Sequence, residues 1–227
     1  MWAAARNPNP EVTRALLSAG ANVYARDKEN ASVLMHAAAY NPNPDVCLEI
    51  LKAKTNVHLR DKYGRNALMH AARSNPNPEV ATLLLHAGVD PAAKDGAGRT
   101  ALMWAARENP NPAMIAALVR FGAAVGVRDK NGVDALMFAA GYNENPEMTM
   151  AVMHAGAAVN AKDANGTTPL MYAAKYSLHP QVLDVLLNAG ANPKLRDKQG
   201  KRALDYASFN GQIKGTEAHR RLYQVSR

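Results

Sequence analysis

The chain has 227 residues, of which 48% are hydrophobic and only 6% aromatic, and its formal net charge is +8 at pH 7. The single cysteine, Cys47, excludes an intrachain disulfide. No apolar run approaches the roughly 20 residues that a membrane-crossing helix needs, and residues 1–6 do not read as a signal peptide. We therefore expect a cytoplasmic protein whose positive charge permits an acidic partner without requiring one.

The motif Asn-Pro-Asn-Pro recurs along the chain at a constant interval of 34 residues. Copies begin at Asn7, Asn41, Asn75 and Asn109, with weaker ones at Asn143 and Ser177. Within each copy the second Asn is predicted to cap a helix, and Pro fits the first helical position. A fixed period of this size is typical of a solenoid, in which each repeat buries its apolar face only by stacking on its neighbours.

Each repeat is predicted to contain a turn, a short helix, the Asn-Pro turn and a second helix. Glycines at one turn position and after the second helix favour a left-handed backbone, and Lys54 replaces the second of these in one repeat. We expect one domain over 1–227: a partial first repeat at 1–26, full repeats at 27–60, 61–94, 95–128, 129–162 and 163–196, and a capping repeat at 197–227.

The most regular repeat reads Asp163-Ala164-Asn165-Gly166-Thr167-Thr168-Pro169-Leu170-Met171-Tyr172-Ala173-Ala174 and later Leu186-Leu187-Asn188-Ala189-Gly190-Ala191. This pattern resembles ankyrin repeats over the whole chain and implies an all-α solenoid of stacked helix-turn-helix repeats. Two features depart from the family. The repeat has 34 residues instead of 33, a variety similar to repeats of bacterial proteins, and Met replaces the family histidine. We expect the stack to depend more on packing and less on side-chain hydrogen bonds.

The resemblance implies a protein partner bound on the concave face, which is formed by the variable turn positions and the end of the first helix. A column of mostly aromatic residues in the middle of the first helix is either a recognition strip or the wall of the groove. Its members are Trp2, His36, His70, Trp104, Phe138, Tyr172 and Tyr206. The predicted partner-binding residues are Tyr40, Tyr63, Arg65, Arg73, Arg99, Trp104, Arg107, Phe138, Tyr142, Tyr172, Lys175 and Tyr176.

Arg73, Arg107, Tyr142 and Tyr176, with Trp104 beside them, are predicted to form one contiguous patch. Stacking at about 10 Å per repeat would spread them over roughly 30 Å, enough for a protein interface. The mixture of basic and aromatic groups favours an acidic protein segment over a lipid or a metabolite. Variation at these positions is equally what drift on an exposed face would give.

A basic residue precedes the leading aspartate of each repeat, and we expect the two to form a structural rail of ion pairs. Its members are Arg26, Arg60, Lys94, Arg128, Lys162 and Arg196. His36 and His70 do not predict a zinc site, because neighbouring helices lie about 8–10 Å apart whereas zinc ligands lie about 2 Å from the metal. Basic residues are interleaved with acids along all repeats, so nucleic acid is an unlikely partner.

No Gly-rich phosphate loop, activated nucleophile or metal-ligand spacing is present, and no cofactor, metal or small-molecule substrate is expected. The sequence therefore predicts a non-enzymatic, monomeric protein-binding module. The alternative is an excised or engineered ankyrin scaffold without a native partner, since the chain begins inside a repeat.

Overall fold

The computed structural model describes residues 1–227, which form fourteen α-helices and no strand, with one isolated antiparallel bridge between Arg26 and Ser32. The helices are Trp2–Arg6 (α1), Pro10–Ser18 (α2), Val33–Tyr40 (α3), Pro44–Lys52 (α4), Ala67–Ser74 (α5), Pro78–His86 (α6), Ala101–Glu108 (α7), Ala113–Arg120 (α8), Ala135–Tyr142 (α9), Pro146–His154 (α10), Pro169–Tyr176 (α11), Gln181–Asn188 (α12), Ala203–Ala207 (α13) and Glu217–Val225 (α14).

The chain divides into two compact units. The N-terminal unit contains Met1–Ala105 and Ala113–Ala124, and the C-terminal unit contains Ala106–Pro112 and Val125–Arg227. Within each unit, first helices pack on first helices and second helices on second helices of the next repeat, as for α3 on α5 and α11 on α13. Each unit is therefore a stack of helix pairs, as the repeat predicts.

The Asn-Pro turn starts the second helix as the sequence predicts. The side chains of Asn9, Asn43, Asn77 and Asn145 each accept a hydrogen bond from the amide two residues later, and proline occupies the first helical position. The first helices begin at side-chain caps such as Asn66 and Thr168. The weaker copy at Ser177 behaves differently, since α12 begins after Pro180 without a side-chain cap.

Two backbone positions of the repeat need a left-handed conformation. Gly64 has a φ of 80°, and a Cβ there would lie 2.9 Å from the Gly96 nitrogen, so both backbone angle and close approach require glycine. Lys54 adopts a φ of 57° where other repeats have glycine, as the sequence predicts.

The core of each unit consists of thin layers of alanine, leucine and methionine. In α5, for example, Leu68, Met69, Ala71 and Ala72 are all at most 1% exposed. The small alanines let neighbouring helices approach closely, and the flexible methionines fill the remaining space. Cys47 lies in this core, and burial raises its pKa to about 12, so its thiol is inert.

The first asparagine of the Asn-Pro turn joins successive repeats. Asn75 is fully buried, and its Nδ2 donates to the carbonyls of Ala38 at 2.9 Å and Asn41 at 2.7 Å, 37 and 34 residues earlier. Its Oδ1 accepts from the Asn77 amide. Asn41 and Asn143 make the same set of bonds. We call this arrangement the asparagine clamp, and it corrects the expectation that side-chain hydrogen bonds would matter less in this stack.

Candidate interaction surface

The leading aspartate of each repeat closes its turn and anchors the middle of the first helix. Asp61 Oδ1 accepts from the amides of Tyr63 and Arg65, two and four residues later. Its Oδ2 lies 3.0 Å from Nε2 of His70, nine residues later. The same oxygen in other repeats accepts from Trp104 Nε1 or from the hydroxyl of Tyr172. The aromatic column is therefore tied to the turn by a regular side-chain bond.

This tie was not predicted, although the spacing of nine residues between the aspartate and the column residue is visible in the sequence. His36 is held by Asp27, and the Tyr206 hydroxyl donates to Asp197. Phe138 has no polar hydrogen to donate and fills its place by packing, with 4% of its surface exposed. The column therefore serves as a structural wall of the groove first, which was one of the two predicted alternatives.

The residue that donates to the leading aspartate influences the pKa values in the groove, as His70 and Asp61 illustrate. Burial lowers the pKa of His70, and the Asp61 bond opposes that shift only partly. Burial of Asp61 opposes its ionisation, but hydrogen bonds from Arg65 and His70 outweigh it, so the pKa of Asp61 is lowered. Arg65 Nε forms an ion pair with Asp61 Oδ2 at 2.8 Å. Because arginine already supplies the positive charge opposite the carboxylate, His70 can remain neutral.

Tyrosine gives the C-terminal unit a different ionisation behaviour. Burial, helped by the hydrogen bond to Asp197, raises the pKa of Tyr206 to about 12. Burial and the hydrogen bond to Asp163 raise the pKa of Tyr172 as well. Both phenols therefore remain neutral near pH 7.

Arg60 and Arg196, each of which precedes an aspartate, bind main-chain carbonyls in place of the predicted ion pair. Arg60 Nη1 donates to the carbonyls of Gly64 at 2.6 Å and Lys94 at 2.8 Å. Arg196 makes the equivalent bond to Gly200 at 2.6 Å, and Arg128 donates to the Lys162 carbonyl. These arginines therefore fasten the turns, while the carboxylates accept from amides and from the column.

The C-terminal unit carries a run of exposed aromatic and basic side chains. The Tyr142 and Tyr176 rings stack with centroids 5.1 Å apart and an interplanar angle of 22°. Arg107 Cζ lies 5.3 Å from the Tyr142 centroid, and Lys175 Nζ lies 4.8 Å from that of Tyr176. Lys175 also lies 5.3 Å from the Tyr206 ring. We call these five residues the aromatic–cationic strip.

Two buried rings support the strip from below. Phe138 and Tyr172 have their centroids 6.2 and 6.3 Å from that of Tyr142. Gly141 stands where neighbouring repeats have Arg107 and Lys175, and a Cβ there would lie 3.3 Å from Tyr172 Cδ1. The strip exposes 40% of Tyr142 and 39% of Tyr176, whereas Tyr172 is 8% exposed. Phe138 and Tyr172 thus position the predicted contact residues and offer little surface themselves.

A groove of about 550 Å³ lies at the Tyr206 end of the strip. Lys175, Lys198, Lys201 and Phe209 line it, together with Asp197. Phe209 is 91% exposed. We call this the lysine groove; the predicted site included Lys175 but not the others, since nothing in the repeat pattern signals the exposure of Phe209.

The predicted residues of the N-terminal unit form separate small clusters. Tyr63 lies between Lys62 and Arg65, whose charged atoms are 4.9 and 4.5 Å from its centroid. Arg6 lies 5.5 Å from the Tyr40 ring. Arg73 and Arg99 each lie 5.2 Å from the ring of Trp104, and Trp104 is 8% exposed. Trp104, the column residue of its repeat, therefore supports Arg73 and Arg99 and offers little surface itself.

The predicted patch draws on both units. Arg73 and Trp104 belong to the N-terminal unit, and Arg107, Tyr142 and Tyr176 belong to the C-terminal unit. The structure brings the last three together and, separately, the first two. A single patch of all five stays a prediction.

The protein is a helical repeat protein, as its stacked helix pairs, left-handed turn glycines and wall of anchored column residues show. The chain matches the family model of ankyrin repeats in three copies, at residues 1–95, 78–163 and 140–218. The protein therefore belongs to the ankyrin-repeat family, whose repeats generally mediate protein–protein interaction. No curated protein matches the chain. None of its helices has the length and apolar character to span a bilayer.

Proposed function

We propose that this chain is a non-enzymatic protein-binding module that takes a partner segment on the aromatic–cationic strip. The observation that carries the proposal is the stacked pair Tyr142 and Tyr176, held between Arg107 and Lys175 while each ring stays about two-fifths exposed. Tyrosine and arginine are the residue types enriched where interfaces gain most of their binding energy. The two basic residues favour a partner segment with acidic side chains.

The strip is preorganised for binding. Tyr142 and Tyr176 belong to α9 and α11, and the buried rings of Phe138 and Tyr172 pack beside them. Little side-chain entropy remains to be lost when a partner covers rings already fixed in this way. The clusters around Tyr40, around Tyr63 with Arg65, and around Arg73 with Arg99 are proposed as further contacts in the N-terminal unit.

The partner can be identified by photo-crosslinking. A benzophenone amino acid replacing Tyr142 is expected to crosslink to a protein in the source cell, whereas the same group at His154, exposed on the second helix α10, is not. The crosslinked protein is then purified, and its affinity is measured by titration calorimetry. Crosslinking from position 154 and not from 142 would place the contact on the second helices and contradict the proposal.

Affinity for the purified partner then tests the residues directly. Arg107→Ala with Tyr142→Ala is expected to weaken binding about tenfold or more, the scale of interface hot spots. His154→Ala is the matched control and should leave the affinity unchanged. Circular dichroism must be the same for all three proteins, because the strip residues are exposed and their loss should not unfold the helices.

A further inference from the structure

We infer that the lysine groove is a carboxylate-recognition site, and that its occupant is an extended acidic segment of a partner protein. This inference rests on the proposed function and names the charge that the partner presents beside the strip. It also assigns a role to Lys198, Lys201 and Phe209, none of which belongs to the strip.

Three lysine side chains give the lysine groove its positive charge. Lys175, Lys198 and Lys201 face one groove, and none of the three forms an ion pair with a carboxylate of the protein. Lys52 and Lys62 pair with Glu49 and Glu29 at 2.7 and 2.5 Å, whereas other exposed lysines, such as Lys28 and Lys54, form no ion pair either. The lysine groove is distinguished by three such lysines lining one cavity, where the single carboxylate of Asp197 offsets their charge only in part.

The one carboxylate in the groove does not cancel this charge by direct pairing. Asp197 is 9% exposed, and its Oδ1 accepts from the amides of Gln199 and Lys201. Its Oδ2 accepts from the Tyr206 hydroxyl. Asp197 is therefore bonded to the turn amides and to Tyr206 and forms no ion pair with a lysine of the groove, so the ammonium groups are available for acceptors from outside.

The size and surroundings of the lysine groove suit a bound peptide segment. Its volume of about 550 Å³ falls within the range of protein binding pockets, about 300–1,000 Å³. Phe209, almost fully exposed at its edge, can cover the apolar stem of a bound side chain. Lys175 belongs to both strip and groove, so a segment lying on Tyr176 continues directly to the lysines.

A second groove at the other end of the strip shows that this charge is local. It has a volume of about 420 Å³ and is lined by Arg107 and Tyr142, but also by Glu108 and Glu144. Arg107 Nε lies 3.6 Å from Glu108 Oε1. Because that groove carries both positive and negative side chains, we assign the preference for an acidic segment to the lysine groove.

Peptide binding tests the inference without knowledge of the partner. The probes are a fluorescein-labelled hexaglutamate peptide, its hexaglutamine counterpart and a phosphoserine peptide with neutral flanks, measured by fluorescence anisotropy. Hexaglutamate is expected to bind and hexaglutamine is not. Raising the salt from about 50 mM to about 500 mM should weaken the binding, because exposed charges are screened.

Charge reversal then locates the site. Lys198→Glu with Lys201→Glu is expected to weaken hexaglutamate binding about tenfold or more and to create binding of a hexalysine peptide. Lys214→Glu is the control: Lys214 is exposed in the same unit but does not line the groove. Equal weakening by the control would reduce the effect to general charge and overturn the inference, as would binding of the phosphoserine peptide alone.

The strip variant separates this inference from the proposed function. Arg107→Ala with Tyr142→Ala should weaken hexaglutamate binding far less than the lysine reversal does, because Arg107 lies beside Glu108 in the groove at the other end of the strip. If the lysine reversal leaves the affinity for the purified partner unchanged while the strip variant lowers it, the inference fails and the proposed function stands. The opposite pattern refutes the strip and retains the groove.

Discussion

The two units hold the same aspartate position with different partners. In the N-terminal unit Asp61 is bonded by His70, and in the C-terminal unit Asp163 is bonded by Tyr172. The geometry is shared, but histidine titrates near neutral pH and tyrosine does not. One scaffold thus contains one groove wall whose charge depends on mild acidification and another whose charge does not. The lysine groove also belongs only to the second.

The largest change removes the end of the C-terminal unit. Deleting residues 197–227 exposes the face that α13 and α14 cover and removes the fully buried Ile213 and Leu222. Burying two such side chains contributes about 3–6 kcal/mol. We expect a lower melting temperature and self-association, measured by calorimetry and light scattering. An unchanged melting temperature in a monomer would show that these repeats do not depend on stacking.

The asparagine clamp should behave alike in both units. Asn75→Ala leaves two buried carbonyls and one amide without their partner, at a cost of about 1–3 kcal/mol for each unsatisfied group. Asn143→Ala should cost a similar amount. Asn77→Ala, which loses a helix cap and an exposed bond, is the control at about 1 kcal/mol. Equal effects of the Asn75 and Asn77 changes in urea denaturation would refute the clamp.

The third prediction concerns His70, at whose position the C-terminal unit has Tyr172. The folded-state pKa of His70 is below its ordinary value of 6.5, so the unfolded chain binds the proton more readily. The contribution of His70 to stability is therefore complete above pH 6.5 and decreases as the pH falls below it. The lowered pKa of Asp61 acts in a separate window, because its contribution is lost only below the ordinary value of 3.8.

His70→Tyr should remove this pH dependence and make the N-terminal unit resemble the C-terminal one. The measurement is urea denaturation followed by Trp104 fluorescence at about pH 7.5 and about pH 5.5. We expect wild type to lose more stability than the variant on acidification. His36 is present in both proteins, so the difference reports His70 alone. Equal losses would contradict the assignment.

The smallest effect concerns a helix end. Lys54 has a φ of 57°, whereas the corresponding Gly156 and Gly190 of the C-terminal unit have φ values of 97° and 87°. Lys54→Gly should stabilise the N-terminal unit by about 1 kcal/mol, because a left-handed backbone strains a residue with a Cβ. Lys54→Ala keeps the strain and is the control. A glycine variant no more stable than the alanine one would refute the backbone explanation.

The sequence predicts the elements of each repeat because their signals are local. Caps such as Asn77 and left-handed positions such as Gly64 and Lys54 depend on the residue and its immediate neighbours. The asparagine clamp and the Asp61–His70 bond were missed because they depend on how turns and helices approach in space. Four of the five strip residues, all but Tyr206, were predicted as contacts. The burial of Phe138 and Tyr172 could not be predicted, because it depends on packing against neighbouring helices.

The asparagine clamp also limits how such a chain can change its length during evolution. Asn75 and Asn143 each bond to carbonyls located 34 and 37 residues earlier. An insertion or deletion inside such an interval would displace both acceptors together, whereas gain or loss of a whole repeat would restore them. In the last repeat Asn210 donates to the Ser177 carbonyl, 33 residues earlier, so the terminal repeat accommodates another length. These hydrogen bonds therefore permit the chain to gain or lose whole repeats, whereas the terminal repeat can vary in length.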